Sequence, residues 1–186
     1  MRMKYLTKPV VAAPAGLTLG GGCEICLHTA ACQPLGETYI GLVEAGIGVI
    51  PAGGGTKELM VRIVGDLYPD VVEAGLNMQQ FYAKIFETIA MAKVATSAVE
   101  GKELAYFRKS DRISMNRDQQ LWDAREVVLG LSRFYRKPEA ALIPVMGENL
   151  KGIATAILYN MRHGNYISDY DVHVSQKLVH VLSGGD

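Results

Sequence analysis

The chain has no surplus of either charge: 19 Lys plus Arg stand against 19 Asp plus Glu among 186 residues. That excludes the basic excess on which nucleic-acid and membrane-surface binding rest. Long apolar runs are missing too. The longest charge-free stretch, Pro9 to Cys23, has 15 residues (23 − 9 + 1), two of them proline and four glycine, whereas a membrane-spanning helix needs roughly 20 apolar ones. Residues 1–9 show no apolar core ahead of a small-residue cleavage site, so no secretory leader is expected. Cysteine is scarce. Cys23, Cys26 and Cys32 are an odd, clustered set, a poor disulfide framework that points to a reducing, cytoplasmic setting. With 49% hydrophobic residues, disorder is excluded and one domain with its own core is expected.

What is present is unevenly placed. Residues 1–56 hold only six charges (Arg2, Lys4, Lys8, Glu24, Glu37 and Glu44) but 11 of the 20 glycines. A glycine-rich, nearly uncharged front with two close acids suggests a site, and the charged remainder suggests solvated helices. Val10 to Ala13 predict a short buried strand. Gly16 to Gly22 read as a loop, Cys23 to about Ala31 as a helix, and Thr38 to Ile40 as a second extended piece. Thr56 is expected to cap a helix from Lys57 to about Val64.

Further along, Phe81, Ile85 and Ile89 predict a helix over Met78 to Val94. Ser97 and Glu100 form a capping-box pattern, and Arg112 to Met115 read as a strand. Asn116 is expected to cap a long helix through Leu121, Val128 and Leu131. After Pro138 and Pro144 a helix is expected near Asn149 to Arg162. Ser168 and Asp171 make a second capping box opening the last helix, which Gly184 and Gly185 stop.

Several chemical readings compete. Cys23, Cys26, His28 and Cys32 contain half of a zinc tetrad, yet no second pair follows; buried free thiols are the plainer reading, and no metal site is expected. Gly46-Ile47-Gly48-Val49-Ile50-Pro51 begins like a dinucleotide fingerprint but has Pro where the third glycine belongs. Gly53-Gly54-Gly55-Thr56-Lys57 has Thr and Lys in the wrong order for a phosphate-binding loop. Gly20, Gly21, Gly22 and Glu24 fit better. Glycines at a strand-to-helix junction admit a substrate to the backbone, and free N–H groups at the helix start favour developing negative charge. The plainer alternative is a tight turn followed by an acid that complements the helix dipole. Glu44 tips the balance. It lies in an otherwise apolar run, where a carboxylate must be paired, protonated or functional. Two carboxylates beside one oxyanion hole can position a water and exchange protons with a carbon next to a carbonyl.

Lys8 to Glu24, then Gly41-Leu42-Val43-Glu44, then Ile50 to Thr56, resemble in order and spacing the signature of the crotonase (enoyl-CoA hydratase/isomerase) superfamily. Segments 90–95, 111–118 and 182–186 resemble one branch of it, long bacterial proteins in which a 3-hydroxyacyl-CoA dehydrogenase precedes the crotonase region. The resemblance implies an α/β fold, a partial crotonase-like (ClpP/crotonase) ββα spiral with a mainly helical C-terminal part. It further implies a catalytic half-core over residues 1–66 and a helical region over 67–186, of the same domain or an oligomerisation extension. The chain then reads as an internal slice whose earlier half lies outside it.

The implied activity is hydration of a trans-2-enoyl-CoA to a 3-hydroxyacyl-CoA in fatty-acid β-oxidation. Gly21 would donate an N–H to the thioester carbonyl, with Glu24 and Glu44 flanking the water and Glu44 delivering the proton to C2. Gly20, Gly22, Pro51, Gly53, Gly54 and Gly55 would line the substrate. Two acids favour hydratase over isomerase; an enoyl-CoA isomerase or a non-catalytic folded or oligomerising fragment are the alternatives. CoA enters as substrate, no cofactor is expected in this chain, and NAD is expected only in a dehydrogenase domain outside it. Implied partners are a second copy or that dehydrogenase domain, not nucleic acid or membrane. Ala30 departs from the family, which often has an acid there.

Other residues read plainly. His163, His173 and His180 are expected at the surface or in packing, and Tyr159, Tyr166 and Tyr170 with Met161 in the core or at subunit contacts. Arg108, Lys109 and Arg112, with Asp111, read as a solvated loop more readily than as a grip on CoA phosphates.

Overall fold

The computed structural model describes residues 2–65, 77–140 and 142–185. The first part repeats one unit. Strands β1 (Val11–Ala12) and β2 (Leu17–Leu19) lead into helix α1 (Gly21–Leu27); strands β3 (Ala31–Cys32) and β4 (Tyr39–Gly41) lead through a 3-10 turn, Glu44–Ile47, into helix α2 (Gly55–Met60). Each strand of the first unit pairs in parallel with its counterpart in the second: Val11 with Ala31, and Leu17 with Tyr39. The chain therefore coils as a spiral of ββα turns. Apolar and β-branched side chains suit the half-buried strands, and Gly20 N–H extends the β2–β4 ladder by donating to Gly41 O at 2.9 Å.

The rest is mainly helical. Helix α3 (Gln79–Ala90) precedes strand β5 (Val94–Ala95), which pairs antiparallel with β4. Helices α4 (Ala98–Glu103), α5 (Gln120–Ser132), α6 (Glu148–His163) and α7 (Asp169–Leu182) follow. One core takes residues from both parts: Leu27, Ile40, Leu42 and Leu59 bury with Ile85, Ile89, Leu178 and Leu182. The buried Tyr106 helps close the sheet edge, its hydroxyl donating to Lys93 O at 2.8 Å. Among the described residues no helix is long and apolar enough to cross a membrane. The expected division between residues 66 and 67 falls at 66–76, outside the described residues, as do Met1 and Asp186.

The spiral, α6 and the Ser168 capping box match expectation; both halves of that box form, and Gly184 and Gly185 stop α7 with φ of 97° and 89°. Several expectations need correction. The loop expected over Gly16 to Gly22 contains β2 and the first residues of α1, because strand pairing with β4 overrides the local glycine signal. Thr56 does not cap α2: Gly54 does, with φ 103°, while the Thr56 hydroxyl turns back to Pro51 O. The expected continuation to Val64 is a π turn, Val61–Gly65.

Helix α3 stops four residues before Val94, which β5 recruits to the sheet. At Ser97 only half the box forms; Glu100 reaches past it to Thr96 N and Oγ1 at 2.7 and 2.8 Å. Arg112 to Met115 supply one bridge, Ser114 with Leu35, and no named strand. Asn116 caps a 3-10 turn, Arg117–Gln119, ahead of α5. Leu121 is exposed on α5 rather than turned to the core.

Candidate active site

Glu24 and Glu44 follow equivalent strands of the spiral. β2 and β4 are parallel neighbours, so both acids leave the sheet at the same end, where open α/β architectures place ligands. Glu24 occupies the first turn of α1 and is 9% exposed. Its Oε1 accepts the Gly55 N–H at 2.9 Å. Gly53 lies under the other oxygen: a Cβ at that position would stand 2.2 Å from Glu24 Oε2. Only glycine leaves room for the carboxylate.

Glu44 opens the 3-10 turn after β4. Its Oε1 lies beside Gly20, the residue that starts α1 with φ 55°, 3.5 Å from where a Cβ would stand. Its Oε2 is buried and finds no hydrogen-bond partner among the described residues. Burial pushes the Glu44 carboxyl above the usual range, and the Glu24 charge adds to the rise, while backbone N–H groups of Glu44 and Val43 pull the other way. Such a group holds its proton better than an ordinary glutamate and suits a proton donor.

The glycines frame the space between. Gly21 is exposed, a Cβ on it would meet nothing within 4 Å, and its N–H falls among the first-turn groups with no acceptor inside the helix. Gly22 is half-buried behind it. Pro51 is buried, Gly53 is exposed, and Gly54 and Gly55 turn the chain into α2. Gly20, Gly21, Gly22, Glu24, Glu44, Pro51, Gly53, Gly54 and Gly55 thus come to one region. The Cys23 thiol lies behind the acids, pushed up by burial, which keeps it protonated and unreactive. All three cysteines are buried and unlinked.

A supporting layer escaped the sequence reading. Arg62, mostly buried, donates to Cys26 O, Leu27 O and Tyr106 O at 3.3, 3.1 and 2.7 Å; it satisfies carbonyls at the end of α1, where a cation also suits the dipole. His28 Nδ1 lies 2.7 Å from Glu24 O. Glu58, 1% exposed, accepts from Lys4 Nζ at 2.7 and 2.9 Å, pairs with Lys57 and lies 3.7 Å from His28 Nε2. The available signal was Glu58 in the amphipathic run Thr56 to Val64, where its spacing from Leu59 was legible but its inward face was not.

Residues set apart from the site behave differently. Arg108 is not part of a solvated loop: its guanidinium donates to Thr29 O at 2.9 Å, and buried Asp111 accepts from Cys32 N and Arg108 N. Lys109 and Arg112 are exposed. His163, His173 and His180 lie at the surface. Tyr159, Tyr166 and Tyr170 are exposed too, outside the core. Tyr170 has a specific contact, its hydroxyl donating to Gly48 O at 3.1 Å, which lays α7 over the turn that carries Glu44.

No family model matches the chain. Over its whole length it is 43% identical to a Bacillus subtilis (strain 168) protein named "Probable 3-hydroxyacyl-CoA dehydrogenase", of which it spans 23%. Over 65 residues, 34% of the chain, it is 46% identical to a "Fatty acid oxidation complex subunit alpha" of Shewanella baltica (strain OS155 / ATCC BAA-1091), of which this is 9%. The chain therefore spans under a quarter of these relatives. Among solved structures it is similar to an enoyl-CoA hydratase subunit I from Geobacillus kaustophilus HTA426, with TM-score 0.53 and 18% identity, covering 97% of this chain and 56% of that one. An enoyl-CoA hydratase/isomerase from Cupriavidus metallidurans CH34 matches with TM-score 0.52 and 16% identity, covering 96% and 54%. Two parallel-paired ββα turns and these likenesses lead to one conclusion: the chain has part of the crotonase fold, that of the enoyl-CoA hydratase/isomerase proteins.

Proposed function

We propose that this chain carries the catalytic acids of an enoyl-CoA hydratase, adding water across the double bond of a trans-2-enoyl-CoA within a longer fatty-acid oxidation protein. The observation that carries the reading is the pairing of a Glu24 carboxylate anchored on Gly55 N–H with a Glu44 carboxyl that burial holds toward its protonated form. In this reading the thioester oxygen meets the Gly21 N–H, which strengthens as enolate charge develops there. Glu24 takes a proton from water as its oxygen bonds to C3. The π electrons move toward C2 and the thioester oxygen, and Glu44 delivers its proton to C2. Proton exchange between the acids restores the starting state. Water and the alkene are consumed and a 3-hydroxyacyl-CoA forms, with no redox partner required; NAD belongs to the dehydrogenase step that such a product would feed.

The test is crotonyl-CoA hydration, followed by loss of the enoyl-thioester absorbance, in the protein as its gene encodes it. Glu44→Gln and Glu24→Gln are each expected to lower turnover by about 10²- to 10⁴-fold, the usual contribution of a positioned acid or base. Turnover within a few-fold of the parent in both variants overturns the assignment.

A further inference from the structure

The Glu24 carboxylate is held through the Gly55 N–H, and that donor belongs to a helix of only six residues, α2. A helix so short does not hold its own position. Whatever fixes α2 against α1 therefore decides where the candidate base points. Gly55 faces α1 closely: a Cβ on it would stand 3.0 Å from Glu24 Cγ. Three residues further along α2, and so on the same face, is Glu58, buried. Four residues beyond Glu24, on the matching face of α1, is His28, 3% exposed. The two helices thus meet at two levels, Glu24 with Gly55 and, one turn deeper, His28 with Glu58.

Both ring nitrogens of His28 belong to the deeper level. Nδ1 lies 2.7 Å from Glu24 O. A carbonyl oxygen only accepts, so Nδ1 carries the hydrogen and donates it. The carbonyl is that of the candidate base itself, and it also receives the His28 backbone N–H at 3.2 Å. Nε2 finds no hydrogen-bond partner among the described residues and stands 3.7 Å from Glu58 Oε1. Glu58 is fixed from outside: Lys4, on the 3-10 turn Arg2–Tyr5, grips both its oxygens, and Lys57 adds a further contact. The ring therefore spans from an anchored carboxylate to the backbone of Glu24.

We infer that His28 is a positioning residue for the Glu24 carboxylate, its ring wedged between Glu24 O and Glu58 so that α2 keeps the Gly55 N–H on Glu24 Oε1. The inference rests on the hydratase reading for the step that Glu24 performs, but not for the Glu24–Gly55 bond that His28 maintains. Without the ring α2 drifts from α1, and a displacement of about 1 Å at a catalytic group costs about a hundredfold in rate. Substrate affinity is spared, because both side chains are buried away from the glycine-lined surface.

Two substitutions divide the ring's functions. His28→Gln keeps a polar end toward Glu58 but removes the donor to Glu24 O, whereas His28→Asn keeps a donor near the Nδ1 position. Gly55 opens α2, so its N–H has no acceptor inside the helix, and its protection against hydrogen exchange reports the Glu24 bond. By NMR on this chain, with each variant checked for a cooperative melt, the Gly55 amide is expected to exchange about tenfold faster in His28→Gln. The Ile85 amide, in the core, should keep its rate, and His28→Asn should recover most of the Gly55 protection. Glu58→Gln should loosen the same amide, and supplies the test if His28→Gln does not fold.

The second readout is crotonyl-CoA hydration in the protein as its gene encodes it. His28→Gln is expected to lower kcat by about tenfold to a hundredfold with KM within about threefold, and to cause no further loss when added to Glu24→Gln. A histidine of purely structural importance would multiply its loss with that of Glu24→Gln, which would overturn the inference. Faster Gly55 exchange in a protein that hydrates no thioester keeps the role of His28 and removes the hydratase reading. Hydration by the parent, with Gly55 exchange and kcat unchanged in His28→Gln and Glu58→Gln, removes the role of His28 and keeps the hydratase.

Discussion

The Glu24 carboxylate is bound to the backbone of residue 55, its Oε1 accepting the Gly55 N–H at 2.9 Å across 31 residues of sequence. The candidate base is thus held by the start of α2, and the glycines of that turn are shaped around it. Gly53→Ala would place a methyl 2.2 Å from Glu24 Oε2, a separation that no side chain can keep. Because Gly53 is exposed, the turn has room to shift outward and the fold should survive. Crotonyl-CoA hydration is expected to fall by about tenfold to a hundredfold, since small misplacements of catalytic groups have such effects, with Tm changed by only a few degrees. Unchanged turnover would show that the turn does not position Glu24.

Glu44 makes a prediction about pH. Its carboxyl is raised, by burial first and by the Glu24 charge second, so the folded state holds the proton more tightly than the unfolded state. The stabilising effect of that proton is complete below the unfolded value near 4.5 and is lost as pH climbs through the folded pKa. Glu44→Gln removes the cost of the buried charge. The variant should melt higher than the parent at pH 7, the gap closing as pH falls toward 4, while hydration collapses. Matching melts at every pH would show that Glu44 is not strained in the fold.

The buried Glu58 behaves oppositely. Burial alone would raise its carboxyl, but the hydrogen bonds and charges of Lys4 and Lys57 outweigh it and hold the group low. Its contribution is therefore present above the unfolded value and disappears as pH drops through the folded one. Lys4→Met should destabilise the chain by about 1–3 kcal/mol at pH 7, the scale of an unmade bond to a buried charged group. It should also raise the pH of acid unfolding. Denaturant melts from pH 7 to 3 check both; an unaltered acid midpoint would make the Lys4 contact inconsequential.

Arg62 ties α1 to the segment at Tyr106 through three carbonyls. Arg62→Lys keeps the charge but cannot spread donors over that fork. Chemical denaturation should register a loss of about 2 kcal/mol, since bonds to charged groups contribute roughly 1.5–3 kcal/mol. Wild-type stability would show that one ammonium suffices.

The site was legible to the degree that its chemistry is local. Gly20 to Glu24 announce a strand-to-helix junction, and a lone Glu44 among apolar neighbours announces a carboxylate that must be protonated, paired or used. That both belong to one end of the sheet was carried by family resemblance and not by spacing, because it depends on parallel pairing of β2 with β4, a non-local contact. The same cause hid β3 and β5, two-residue strands with no alternating pattern of their own. Glu58, Arg62 and Arg108 read as surface charges because nothing in their neighbours shows that their heads turn inward to carbonyls and lysines.

The parallel register has one more consequence. Partners across the ladders are 20 residues apart in sequence at Val11 and Ala31 and 22 apart at Leu17 and Tyr39, and the two acids are 20 apart (44 − 24). The interval between the acids equals the β1–β3 offset and is two residues short of the β2–β4 offset, so the acids sit at nearly matching places on adjacent windings, like two points on a spring. Extra chain in the bend that joins β3 to β4 would bulge outward and leave the points facing each other. The same length added after Gly41 would wind one past the other, so tolerance to insertion should change abruptly at the end of β4.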